Sequence, residues 1–445
     1  MLLAFFILHL SRSFVNAAPA SLIASNVTAT QPIPSNQLSC SADQRSIWDI
    51  LWSCLATIFA CTWVSIHPNI PPPNEKWWMG PLRRLELMIW AILAPELMIL
   101  WAMRQWLGAR RLVNRCPGAL NFNCCSIWVK MLDISDGRWT KTHGYFVQMG
   151  GFPVFKGDAL QGFVSQRNAD GTVIYNGVWT FPTNKLPMIS ENEIRDRSKG
   201  DGLSKSLAIG QTLWFALQCI VRRVDGLYIT ELELATAAFA FLNGVIYFLW
   251  WDKPLAVQCS VPIQLLDNYI EQPNTKSSRP KRKRSPIHLS AIFLGIFDRL
   301  IQIGDLGPVA HPGTTFYAYT VNGEDDTAMI WASIAAVIFG GIHCAGWVFT
   351  FPSHGESILW RISSIVITGI PFLAIAYVYT VRSWLGVRWR KAPYLGTVVK
   401  YVTAVCIPFY MIARLLLLAE AFTTLRDLPR AAFDIVRWVT FIPHI

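Results

Sequence analysis

Long apolar stretches recur along the chain, separated by polar connections of very unequal length. The first to stand out is Leu85–Leu107, LELMIWAILAPELMILWAMRQWL. As a straight helix at ~1.5 Å per residue it would cover a hydrocarbon layer of ~30 Å. Its middle carries Ala94-Pro95-Glu96, a helix breaker followed by a carboxylate, where a plain anchor would carry Leu or Val. Similar stretches predict spans at 48–66, 203–221, 232–251, 328–351, 362–381 and 398–422, so the fold class read from the chain is an all-α integral membrane protein with seven transmembrane helices. The last two are interrupted by Pro371 and Pro408, and both are expected to break there.

Small residues mark the expected contact faces. Ser53, Thr57, Cys61 and Ser65 recur every fourth position in the first span, as do Ala332, Ala336, Gly340 and Cys344 in the fifth. Thr236, Ala240 and Gly244 make a shorter row in the fourth. Such rows let helices approach closely where packing, rather than hydrophobicity, drives association.

The connections complete the domain plan. Residues 1–18 read as a signal peptide and 19–47 as a disordered luminal tail carrying the sequon Asn26-Val27-Thr28. Spans one and two occupy 48–107, and 108–202 is a loop long enough for a small, β-containing subdomain. Within it Val164–Val178 alternates around Asp170-Gly171 as a hairpin, and Ser190 with Glu193 opens a short helix. Spans three and four, in 203–251, form a helical hairpin through Asp225-Gly226, with Thr230 and Glu233 capping the second helix. Residues 252–327 hold a second long loop, 328–422 spans five to seven, and 423–445 an amphipathic tail on the membrane surface.

Composition supports a bilayer as solvent. Of 445 residues 53% are hydrophobic and only 15% charged, against about 25% in soluble domains. The formal charge of +11 is concentrated: six basic residues lie between Lys276 and Arg284, and removing them from the 39 leaves 33 against 28 acidic ones. That is one loop rather than a basic face, which argues against nucleic acid as a partner. The run Lys281, Arg282, Lys283 and Arg284 would instead attract anionic lipid on the cytosolic side, be open to a dibasic-specific protease in the lumen, or stand as a solvated loop. The ten cysteines include no CxxC pair and no zinc-ligand spacing, and no cofactor is implied.

Several blocks, WDILWSCLATIFACTWVSIHPNIP (48–71), LAPELMILWAMRQW (93–106), KTHGYFVQMGGF (141–152) and DRSKGDGLSK (196–205), resemble an uncharacterised family of fungal multi-pass membrane proteins. The resemblance runs from about residue 47 to the final IPHI, and implies a fungal source and a helical membrane fold but no activity.

Ionisable groups inside spans are the functional leads, since each costs roughly 2.5–3.5 kcal/mol at a helix centre. Glu96 is the sharpest, a carboxylate beside backbone opened by Pro95, as a cation or proton site requires. Arg414 is its partner by depth; His343, near the small-residue face of span five, reads as a proton relay or an interhelical hydrogen bond. No GxSxG, HExxH or Walker pattern argues for an enzyme. The expectation is a transporter or channel-like protein, with a seven-span receptor and a non-catalytic scaffold as alternatives. A cleaved signal and the sequon put the N-terminus outside; seven crossings then put the C-terminus in the cytosol, against the positive-inside rule.

Overall fold

The computed structural model describes residues 44–71, 75–76, 78–114, 139–167, 172–175, 179–182, 189–198, 202–264, 316–318, 324–384 and 393–436. The expected signal peptide, Asn26, the basic run 281–284 and the last nine residues lie outside them.

Helix α1 (Ile47–Ser65) starts at a capping box: the Asp49 amide donates to Ser46 Oγ at 3.2 Å and the Ser46 amide to Asp49 Oδ2 at 2.9 Å. Its row of small residues meets two neighbours, Gln211 donating to Thr57 Oγ1 (3.3 Å) and Ser65 to Asn243 Oδ1 (2.7 Å). Those partners belong to α6 (Gly202–Val224) and α7 (Glu231–Leu249), the expected helical hairpin, with Gly226 at positive φ in its turn and Thr230 accepting from the Glu233 amide. In the row expected on α7, Thr236 and Ala240 are buried while Gly244 is exposed.

Between α1 and α6 the chain departs from expectation. The Leu85–Leu107 stretch is two helices, α2 (Met79–Leu93) and α3 (Pro95–Asn114), bent by 114° at Ala94. A residue before proline is driven out of the helical region, and proline suits the first position of a new helix. Ala94 accordingly closes one helix and opens the next: its amide donates to the Trp90 carbonyl at 2.8 Å, and its carbonyl accepts from the Leu97 amide at 3.1 Å. Both outer limbs return to the same end of the bundle. On α2, Arg84 donates to the carbonyl of Trp63, near the end of α1, at 2.7 Å. On α3, Gln105 donates to Asn69, just past α1, at 3.2 Å. The pair is a V whose tip lies inside the bundle.

A small domain sits on α3. In α4 (Lys141–Gln148) a Cβ on Gly144 would fall 2.6 Å from the Ala109 carbonyl, so only glycine lets the two helices touch. A five-stranded sheet comes next, in the order β4-β3-β2-β1-β5, with β1 Pro153–Lys156, β2 Ala159–Arg167, β3 Thr172–Tyr175, β4 Trp179–Pro182 and β5 Ile263–Gln264. The β2–β3 pair is the expected hairpin, and β5 joins β1 in parallel. Phe146, Phe152, Val154, Val164 and Ile194, the last from α5 (Glu191–Asp196), make the core of this domain.

The remaining helices are α8 (Glu324–Cys344), α9 (His354–Trp384) and α10 (Pro393–Thr423). The α8 small-residue row packs on α9, where a Cβ on Gly340 would lie 2.8 Å from the Thr368 Cα. Contrary to expectation, α9 and α10 run unbroken through Pro371 and Pro408. A mid-helix proline removes one backbone bond, which helices packed on both sides absorb. Within the expected tail, residues 424–427 and 430–433 form short 3-10 turns, and Asp434 bridges to Gln44. The start of α1 and the end of α10 therefore lie at one end of the bundle, and the sheet at the other.

Among the described residues five stretches are long and apolar enough to cross a membrane: Ile47–Ser65, Glu231–Leu249, Asp326–Val348, His354–Leu373 and Pro408–Asp427. The bent α2–α3 pair passes the same test only if taken together. The molecule is mostly helical with one small sheet, as its apolar pattern requires.

Candidate functional site

The tip of the V delivers Glu96 to the middle of the bundle, as the second residue of α3, where free amides and the helix dipole favour a carboxylate. Arg414, from α10, meets it: Nη1 donates to Glu96 Oε2 at 2.7 Å and to Tyr410 OH, one turn earlier, at 3.1 Å. The side chains of Arg414 and Glu96 are 4% and 13% exposed, so this is a desolvated ion pair. The guanidinium lies over Phe339 at 4.3 Å, with Phe239 at 5.8 Å, and the rings replace part of its lost hydration.

His343 lies on the same side of α8 as Phe339. Its Nδ1–H donates to the Phe339 carbonyl at 2.9 Å, while its own carbonyl accepts from Trp360 Nε1 of α9 at 2.9 Å. His343 and Arg414, with Leu93 from the end of α2, line a cavity of about 20 Å³, room for one water. Arg414 Nη2 is buried and has no hydrogen-bond partner among the described residues. Glu96, Arg414 and His343 thus share one neighbourhood, with the first two in direct contact. Tyr410 completes the cluster and was not singled out from the sequence, although its position one turn before Arg414 is the available signal.

A second polar cluster, unforeseen in the sequence, closes the sheet end of the bundle. Lys253 is buried four residues beyond α7, and Nζ donates to Gln105 Oε1 at 2.8 Å and Asn69 Oδ1 at 3.2 Å. It sits 4.4 and 4.7 Å from the rings of Trp250 and Trp101. Burial holds its amine well below the ordinary lysine range. Beside it His67 donates from Nδ1 to the Ser65 carbonyl at 2.9 Å, and burial, reinforced by the cations Lys253, Lys205 and Arg84, brings its pKa down to about 3. The run Trp250-Trp251-Asp252-Lys253 was the clue: a lysine directly behind two indoles at a helix end.

His143 is structural. Its Nδ1 accepts from the Thr140 amide at 3.1 Å and its Nε2 donates to the Ile189 carbonyl at 2.9 Å, which ties the cap of α4 to the start of α5. Among the described residues no group of three or more His, Cys, Asp or Glu gathers to hold a metal ion.

No curated protein and no solved structure matches the chain. A family model does, over residues 18–274 and 309–445, covering the bundle, the sheet domain and both polar clusters. The chain belongs to that family, a family of unknown function (DUF8562).

Proposed function

We propose that the protein is an integral membrane protein of six crossings, the five apolar helices α1, α7, α8, α9 and α10 together with α6, which is less apolar than these but runs between the same two ends of the bundle, with α2–α3 as a re-entrant hairpin, and that it passes protons or a small cation by way of Glu96. One observation carries this reading: a helix pair that enters and leaves by the same end stops halfway, at a carboxylate joined to an arginine of an opposing helix. Non-helical backbone at membrane depth is tolerated where it is buried in protein, and the freed helix ends there serve ion sites. The cavity beside Arg414 is water-sized, large enough to hold a single water next to the ion pair.

Six crossings also reconcile the two orientation signals. Lys76, Arg83, Arg84, Arg110, Arg111, Arg195, Arg197 and Lys253 lie towards the sheet end, where the connection carrying Lys281–Arg284 also leaves β5 and returns at Tyr317. The opposite end holds Arg45, Arg222, Arg223, Arg361, Arg426 and Arg430. The positive-inside rule then places the sheet domain in the cytosol and both ends of the chain outside, the side that Asn26 requires if glycosylated. The C-terminus moves from the cytosolic side to the outside because the V returns the chain to the end it entered from.

The test is flux. Full-length protein in liposomes carrying a trapped pH dye, with a potassium diffusion potential imposed by valinomycin, should acidify or alkalinise with the sign of the potential. Glu96→Gln should abolish the signal. Absence of any flux for protons, sodium or potassium would instead favour a non-conducting scaffold, a reading that the small size of the central cavity supports.

A further inference from the structure

At the sheet end an open cavity of about 340 Å³ lies between the sheet domain and the bundle. That is within the ~300–1,000 Å³ of small-molecule sites. Arg195 (just ahead of the end of α5) and Lys205 (first turn of α6) face it, with Asp252 and Lys253 behind α7 and the hydroxyls of Thr142 and Ser198 in its wall. Those hydroxyls are engaged in building the wall: Thr142 donates to Glu191 at 2.9 Å, and Ser198 donates to the Leu255 carbonyl (2.9 Å) while accepting from the Leu255 amide (3.0 Å).

The charge around this cavity is unbalanced. Two cations, Arg195 and Lys205, line it with the buried amine of Lys253 against the single carboxylate of Asp252, which Lys141 already approaches at 3.8 Å. Arg195 shares Glu191, while Lys205 has no carboxylate partner among the described residues and lies within electrostatic reach of Arg195. Two cations held near one another at the mouth of a preformed cavity, with the amine of Lys253 buried behind them as a further donor, make a receptor for a compact anion of more than one charge.

What lies beside the cavity narrows the choice. Trp251, 64% exposed, stands on its rim as an interfacial indole would. From Lys205 down α6 the residues Ile209, Leu213, Leu217 and Ile220 present one exposed apolar stripe, on which acyl chains would lie below a headgroup held in the cavity. We propose that this cavity binds a phosphate monoester through Lys205 and Arg195, either the headgroup of an anionic phospholipid or a soluble ester. The lipid source rests on the membrane reading above; the soluble source does not.

Native mass spectrometry of the detergent-solubilised full-length chain tests both arms, with dioleoyl phosphatidate, dioleoyl phosphatidylcholine and glycerol 3-phosphate as probes. Phosphatidate should bind one per chain, ahead of phosphatidylcholine. The Arg195→Gln, Lys205→Gln double variant should bind roughly 30-fold more weakly, from ~1 kcal/mol per cation. Lys205→Gln alone, which leaves the Arg195–Glu191 pair intact should the double variant misfold, should lose roughly fivefold. Arg223→Gln, at the far end of the bundle, should change nothing. Phosphatidate adducts without glycerol 3-phosphate adducts assign the site to lipid, and adducts with both assign it to a soluble ester. No adduct with either, or adducts unchanged in both Lys205 variants, would overturn the site while leaving the flux experiment untouched.

Discussion

Arg414 is the residue on which most interactions converge, and its role there decides how its loss is felt. Its attraction to Glu96 in a desolvated setting is offset by the cost of burying both charges, so the pair adds little net stability. Removing one member is another matter. Arg414→Ala should leave Glu96 buried and uncompensated, and lower unfolding stability in detergent by roughly 3–5 kcal/mol. Arg414→Met combined with Glu96→Gln should recover most of that loss, since neither variant then buries a charge. A double variant as unstable as the sum of the singles would show that the two side chains do not interact. His67 sets a different residue-level expectation. Its pKa near 3 in the folded chain lies below the ordinary 6.5, so the unfolded chain binds the extra proton between those values, and stability falls as pH falls through that window. The effect is about 2 kcal/mol between pH 7 and pH 5 by proton linkage. His67→Asn, which keeps a donor for the Ser65 carbonyl, should flatten the melting-temperature profile over that range.

At the scale of elements, the features legible in the sequence were local. The caps at Ser190 and Thr230, the hairpin between β2 and β3, and the turn at Gly226 each depend on residues within a few positions of one another, and each stands where its signature lies. The fate of three prolines was not local. Pro95 ends a helix and Pro371 and Pro408 do not, although all three sit in apolar stretches. At the break the residue after the proline, Glu96, is held by Arg414 on a helix more than 300 residues away, a contact no window of sequence contains. Close packing was legible as a pattern, though its partner was not. The small-residue row of α8 announced a contact face, and the structure adds that Thr368 of α9 fills it. Gly340→Val should therefore push α8 from α9 and cost about 1–3 kcal/mol, as overpacking does. Thr368→Ala should not rescue it, because the Thr368 backbone itself is 2.8 Å from the added Cβ. Rescue by that second change would mean that only the side chain is in the way.

For the whole molecule the proposal of six crossings turns on parity. Apolar length read from sequence counts segments, and it cannot tell a segment that traverses from one that turns back, because both bury the same residues. Lys253, Gln105 and Asn69 fix the direction of α3 by joining its far half to the connections beyond α1 and α7. The bridge from Gln44 to Asp434 puts the start of α1 and the end of α10 at one end of the bundle, as the proposed even number of crossings requires. Seven crossings would separate them by the thickness of the bundle. Glycosylation mapping in microsomes distinguishes the two counts without any assumption about activity. A sequon appended after Ile445 and the native one at Asn26 should both acquire endoglycosidase-sensitive sugar, while one placed between Gly157 and Asn184, in and around the sheet, should stay bare. Sugar at Asn26 and at the sheet but not at the C-terminus would restore seven crossings, with α2–α3 as one of them. The V would then have to straighten, and Glu96 could not remain bonded to Arg414 in the same geometry.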